Sequence, residues 1–271
     1  MMLASFLTAA FLVTGISAFR IRNGDGKQAP RLAMKAGLVI AAVLVPVQMF
    51  VGDLHGLNTL KNQPAKIAAV EAIWRTEKGA KLLLFALPDE ETKTNEFAVG
   101  IPKMASLILT HDVNGEIKGL DQFQNTHPPV AASFWSFRLM VGVGLLMLAA
   151  SWLGLYLLYR KKELPDWMLF FLELMTFSGW IATLAGWYLT EIGRQPWLVT
   201  GVLKSADAVT KLPPAHIGFS LFMYLVVYGL LLAAYIHTLR VMARKSIQVE
   251  EFNMSEDAVT GTGSPAGGVQ T

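Results

Sequence analysis

Residues 134 to 162 read FWSFRLMVGVGLLMLAASWLGLYLLYRKK, an apolar run broken by one charge, Arg138, and closed by Arg160, Lys161 and Lys162. About 20 apolar residues suffice to cross a hydrocarbon core as a helix, and lipid offers an open backbone no partner. Phe134–Leu158 is therefore predicted to be a membrane-spanning helix. Four more stretches pass the same test: Met2–Phe19, Leu32–Val51, Met168–Thr190 and Ile217–Val241. Composition agrees, with 53% hydrophobic and 16% charged residues where a soluble domain carries about 25% charge. The net charge of +3 gives no electrostatic case for nucleic acid. With no cysteine, disulfides, thiolate metal sites and iron–sulfur clusters are excluded, so a metal would need His, Met, Glu or Asp.

The basic residues sort to one side. Arg20, Arg22, Lys27, Arg31 and Lys35 flank the first turn, Arg160, Lys161 and Lys162 the third-to-fourth turn, and Arg240, Arg244 and Lys245 the last helix end. The positive-inside rule makes that side cytoplasmic, so the chain is expected to start outside and end inside. A signal peptide is disfavoured, because its charge should precede the apolar run, whereas Arg20 and Arg22 follow it. The polar, Gly/Ser/Thr-rich tail over 246–271 is expected to be disordered. The outer segment Gly52–Ser133 reads as a folded cap. A helix is predicted over Pro64–Arg75, with Ile67, Val70 and Trp74 on one face and Glu71 spaced to pair with Arg75, then an apolar patch Leu82–Leu87.

At the outer end of the fourth span stands Glu191-Ile192-Gly193-Arg194-Gln195-Pro196-Trp197. Trp180, Thr183, Trp187 and Glu191 recur at helical spacing. By spacing alone this is either an interfacial aromatic belt with Glu191 paired to Arg194, or a carboxylate ligand to haem iron with Arg194 on a propionate and Trp187 on the macrocycle.

This motif, preceded by Ala185-Gly186-Trp187 and followed by Leu203-Lys204-Ser205-Ala206-Asp207-Ala208-Val209, resembles the signature of the cytochrome bd oxidase large subunit. Gly52-Asp53-Leu54-His55-Gly56, Lys66-Ile67-Ala68-Ala69-Val70-Glu71 and Phe137-Arg138-Leu139-Met140 match the same family in order. The resemblance implies an all-α integral membrane protein: five helices of a nine-helix subunit, with residues 1–245 as membrane domain, 52–133 as periplasmic quinol-binding loop and 246–271 as cytoplasmic tail. It implies a quinol:oxygen oxidoreductase of the bacterial inner membrane that works with a second subunit. Lys66 and Glu71 match residues of quinol oxidation, and Met140 the thioether ligand of a low-spin haem b. Arg138 matches a residue beside that haem, Glu191 an axial ligand of a high-spin haem, and Arg194, Trp187 and Trp197 cofactor contacts. The implied cofactors are low-spin haem b, a high-spin haem b, and haem d or a third haem b. The short loop resembles the cyanide-insensitive branch.

The chain departs from the family at its front. The first four helices are absent, and the histidine partner of Met140 would fall just before Met1. An inactive remnant, or a split half needing a separate N-terminal chain, is the alternative expectation. His55, His111, His127, His216 and His237 do not match the ligand position. Glu173, inside the fourth span, has no assigned partner. A transporter would show inverted repeats and broken helices, which the sequence lacks.

Overall fold

The computed structural model describes residues 1–25, 27–123, 126–209 and 212–244; the predicted disordered tail lies outside them. Among these described residues, five spans are long and apolar enough to cross a membrane. They begin with α1 (Met2–Arg22) and α2 (Gln28–Asn62) and continue with α5 (Val130–Lys161). The fourth comprises α6 (Asp166–Leu174) and α7 (Ser178–Ile192), and the last is α8 (Pro214–Arg244). Between α2 and α5 lies a cap of α3 (Pro64–Val70), β1 (Glu77–Lys78), β2 (Leu82–Asp89), β3 (Thr94–Ile101), α4 (Met104–Thr110) and β4 (Glu116–Ile117). A small hairpin, β5 (Trp197–Val199) with β6 (Leu203–Lys204), follows α7.

Small residues let the helices meet closely. A Cβ on Gly37 would lie 2.8 Å from the Ala10 carbonyl oxygen, and one on Gly179 would lie 2.5 Å from Thr8 Cα. Lipid tails are as apolar as side chains, so such close packing is what holds membrane helices together. Phe11, Leu38, Met168 and Leu172 fill the resulting core. Pro46 sits inside α2. It has no N–H for the carbonyl four residues earlier, and the Trp152 indole of α5 donates to that Ala42 oxygen at 3.1 Å instead. None of the apolar window of α8 is buried.

Several expectations are corrected. The fourth span is not one regular helix, since a 3₁₀ turn, Met175–Phe177, separates α6 from α7. The α2 helix runs eleven residues past Val51, so the start of the outer segment is a rigid continuation of the span. The predicted Pro64–Arg75 helix stops at Val70. Ala72 takes a left-handed φ of 52°, and Ile73 N–H donates to the Ala68 carbonyl at 2.8 Å, a Schellman closure made without glycine. The patch Leu82–Leu87 is a strand, with Leu83 and Ala86 facing the cap core. Glu173 is met by Arg22 Nη2 at 3.1 Å, at the basic end of the bundle.

Candidate functional site

Lys66 and Glu71 lie five residues apart where α3 ends, so they turn toward different neighbours. Glu71, the C-cap, is buried against α5. Arg138 Nη2 donates to its Oε2 at 2.7 Å and Nη1 to its Oε1 at 3.4 Å. Nη1 also donates to the Val70 carbonyl at 3.2 Å, and Nε to the Leu83 carbonyl at 2.6 Å. Arg75, the expected partner, is replaced by a residue 67 positions away, because the helix ends before Arg75 could come round. The guanidinium lies 4.3 Å from the Phe134 ring centroid. Four of its five N–H groups are thereby engaged, and one side chain ties α3, β2 and α5 together. Burial holds the Glu71 carboxyl above the ordinary carboxylate range, with Arg138 opposing.

Two residues along α5, Met140 points away from this pair, toward α7. A Cβ on Gly186 would lie 2.9 Å from the Met140 sulfur, so glycine is what lets the thioether rest on α7.

At the cap end of α7, Arg194 Nη2 donates to Glu191 Oε2. Both side chains are about two-fifths exposed, 41% and 42%. The Lys66 stem crosses the following turn, where a Cβ on Gly193 would lie 2.7 Å from Lys66 Cε. Burial first, and Arg194 second, hold the Lys66 ammonium below the usual lysine range, while Glu191 works the other way. A cleft of about 180 Å³ opens here, lined by Gln63, Lys66, Phe123, Arg194, Gln195 and Trp197. Arg194 Nε is buried beside it without a hydrogen-bond partner. Trp197 carries Lys204 Nζ 5.5 Å from its ring. Trp187 is half exposed and packs on Tyr188.

The structure thus joins Glu71 to Arg138, and Lys66 to Glu191 and Arg194. It does not place Lys66 and Glu71 against a common neighbour, and Trp187 is not part of the cleft lining. Among the described residues no group of three or more His, Asp or Glu could hold a metal by itself. The candidate donors Met140 and Glu191 stand singly, so each could offer a metal no more than one donor side chain. Arg138 keeps one N–H beyond these contacts. The sequence reading missed Gly186 and Gly193 as contact partners; Gly186 was legible as the small residue in Ala185-Gly186-Trp187. It also missed Glu90, whose Oε1 accepts from Val130 N–H at 2.7 Å at the start of α5.

Residues 1–247 match the family model described as cytochrome bd terminal oxidase subunit I. The cytochrome bd ubiquinol oxidase subunit 1 of Bacillus subtilis (strain 168) is 32% identical, over 86% of this chain and 53% of the relative. The cytochrome bd-II ubiquinol oxidase subunit 1 of Escherichia coli (strain K12) is 26% identical, over 89% and 60%. The solved bd oxidase from Geobacillus thermodenitrificans superposes with a TM-score of 0.80 at 28% identity, covering 89% of this chain and 56% of that one. The chain belongs to the cytochrome bd terminal oxidase subunit I family, and it spans about half the length of the curated relatives it matches.

Proposed function

We propose that this chain is the C-terminal portion of the haem-bearing large subunit of a cytochrome bd-type oxidase, which oxidises quinol and passes electrons through haems to reduce oxygen to water. One observation carries the reading: Glu71 touches α5, which bears Met140, while Lys66 touches the turn after Glu191. Each residue matched to quinol oxidation contacts an element bearing a residue matched to haem ligation.

The chemistry suits those positions. A quinol gives up two protons with its two electrons; a carboxyl held above its usual range by burial takes up a proton more readily than an ordinary carboxylate does. The Lys66 ammonium, held below its usual range beside Arg194, can donate a hydrogen bond to a quinone oxygen. Met140 would hold a low-spin haem b and Glu191 a high-spin haem, with Arg138 and Arg194 toward propionates and Trp187 and Trp197 beside the macrocycles. Bound haem would supply the one-electron carriers and the oxygen chemistry, and a thioether ligand favours a high potential. The third group is haem d or a third haem b. The basic helix ends face the cytoplasm, the cap and the start of the chain the periplasm, and a second subunit completes the oxidase in the inner membrane.

The test is a reduced-minus-oxidised spectrum of the assembled oxidase. Met140→Leu should remove the low-spin b-type band, and Glu71→Gln should slow quinol oxidation with haem content intact. An unchanged spectrum in Met140→Leu would refute the ligand assignment.

A further inference from the structure

Three contacts fix how the β2–β3 hairpin lies along α5. Near the hairpin turn, Glu90 accepts from Val130 N–H. Midway, Phe85 meets Trp135 edge to face, with ring centroids 5.2 Å apart. At the far end, the Leu83 carbonyl accepts from Arg138 Nε. Eight residues of helix separate the first contact from the last, a descent of about 12 Å. Counting about 20 residues back from Leu158 puts the edge of the hydrocarbon core near Arg138. The hairpin therefore runs with its charged turn, Asp89 to Lys93, toward water and its open end at the membrane surface.

Large apolar side chains are exposed at that open end. Leu84, Val99 and Ile101 are 53%, 61% and 40% exposed, and Leu107 and Ile108 of α4, just beyond the strand, are each 41%. Phe97, higher on the hairpin, is 75% exposed. Two of these residues are bulges. Register places Leu83 opposite Gly100 and Phe85 opposite Val99, so Leu84 is extra; Phe97 and Ala98 together face Ala86. Phe97 holds a φ of 49°, a conformation that usually selects glycine. Bulges re-aim side chains, and here both turn large apolar groups outward. Exposed Lys81 and Lys103 stand at the two strand ends of the open end, where cations can reach lipid phosphates.

We propose that the open end of this hairpin, with α4, is seated in the lipid of the cap-side leaflet, so that the cap is a membrane-contacting edge rather than a fully solvated domain. Lipid is the occupant because the apolar strip is continuous with the surface of a membrane-spanning helix: Phe85 packs on Trp135, 37% exposed, and Leu139, one turn deeper, is 51% exposed. A water-facing hairpin would lose free energy at each such group. The inference rests on the membrane spans and not on the proposed reaction.

The chain has no cysteine, so spin labels at Leu84→Cys, Val99→Cys and Lys93→Cys can be read in the assembled oxidase in phosphatidylcholine/phosphatidylglycerol nanodiscs, against the unlabelled parent. At 84 and 99, collision with oxygen should exceed collision with a water-soluble nickel chelate several-fold, with the order reversed at 93. Nickel access at 84 and 99 equal to that at 93 would overturn the proposal. So would immobilised labels shielded from both reagents, which would mean that protein covers the strip.

Discussion

Two Glu–Arg pairs hold the cap end of this molecule, and they differ in what surrounds them. Glu71 and Arg138 are 6% and 10% exposed, bring together residues far apart in sequence, and share carbonyls from α3 and β2. Glu191 and Arg194 are neighbours one turn apart, about two-fifths exposed. A buried pair that loses one member leaves a charge without water, whereas a half-exposed pair is replaced by solvent. The first pair is therefore a fastening of the fold. The second is open to water, so its carboxylate can exchange Arg194 for another partner at little cost.

The largest effect that would break this contrast is expected from Arg138→Met. It should loosen the cap by about 3–5 kcal/mol, read as lost hydrogen-exchange protection over residues 64–101. Adding Glu71→Leu should restore most of that protection, because the stranded charge is gone. If the single variant left protection unchanged, the fastening role would fail.

Next comes pH. Glu71 is raised, so the folded chain keeps its proton to higher pH than the unfolded chain does. Its stabilising contribution is whole below the ordinary carboxylate range and is lost as pH climbs through the raised value. Glu71→Gln should flatten that part of a stability-against-pH curve, and a profile unchanged by the substitution would contradict the assignment.

Arg194→Met should cost only about 0–1 kcal/mol in cap stability. Its sharper signature is on Lys66, which Arg194 holds down. Without it the ammonium should titrate closer to an ordinary lysine, seen as slower acylation of Lys66 near pH 8 by mass spectrometry. Faster acylation would mean that Arg194 does not act on Lys66.

The spans were legible because about 20 apolar residues with basic ends have few alternatives. The cap was not, and its particular residues say why. LLLFAL over 82–87 is apolar without a helical or alternating period, so a strand and a buried helix read alike. Two bulges hide its alternation further. The α3 closure uses Ala72, where a sequence reader looks for glycine. Arg75 is the natural local partner for Glu71 only if the helix continues, and it stops at Val70. Arg22 and Glu173 stand about 150 positions apart, beyond any spacing rule. In the candidate site, residue identities came from motifs, but which residues touch came only from the packing of α3 between α5 and the turn after α7.

The Pro46–Trp152 arrangement has a consequence for how this sequence can change. Pro46 withholds a hydrogen from Ala42, and an indole on another helix supplies it. Losing Trp152 is harmful only while proline is present, and replacing Pro46 by alanine first would make the indole dispensable. The two positions are thus epistatic, coupled by about 0.6 kcal/mol if the bond is of average strength for a membrane bundle. The order in which substitutions arrive decides which of them the fold accepts.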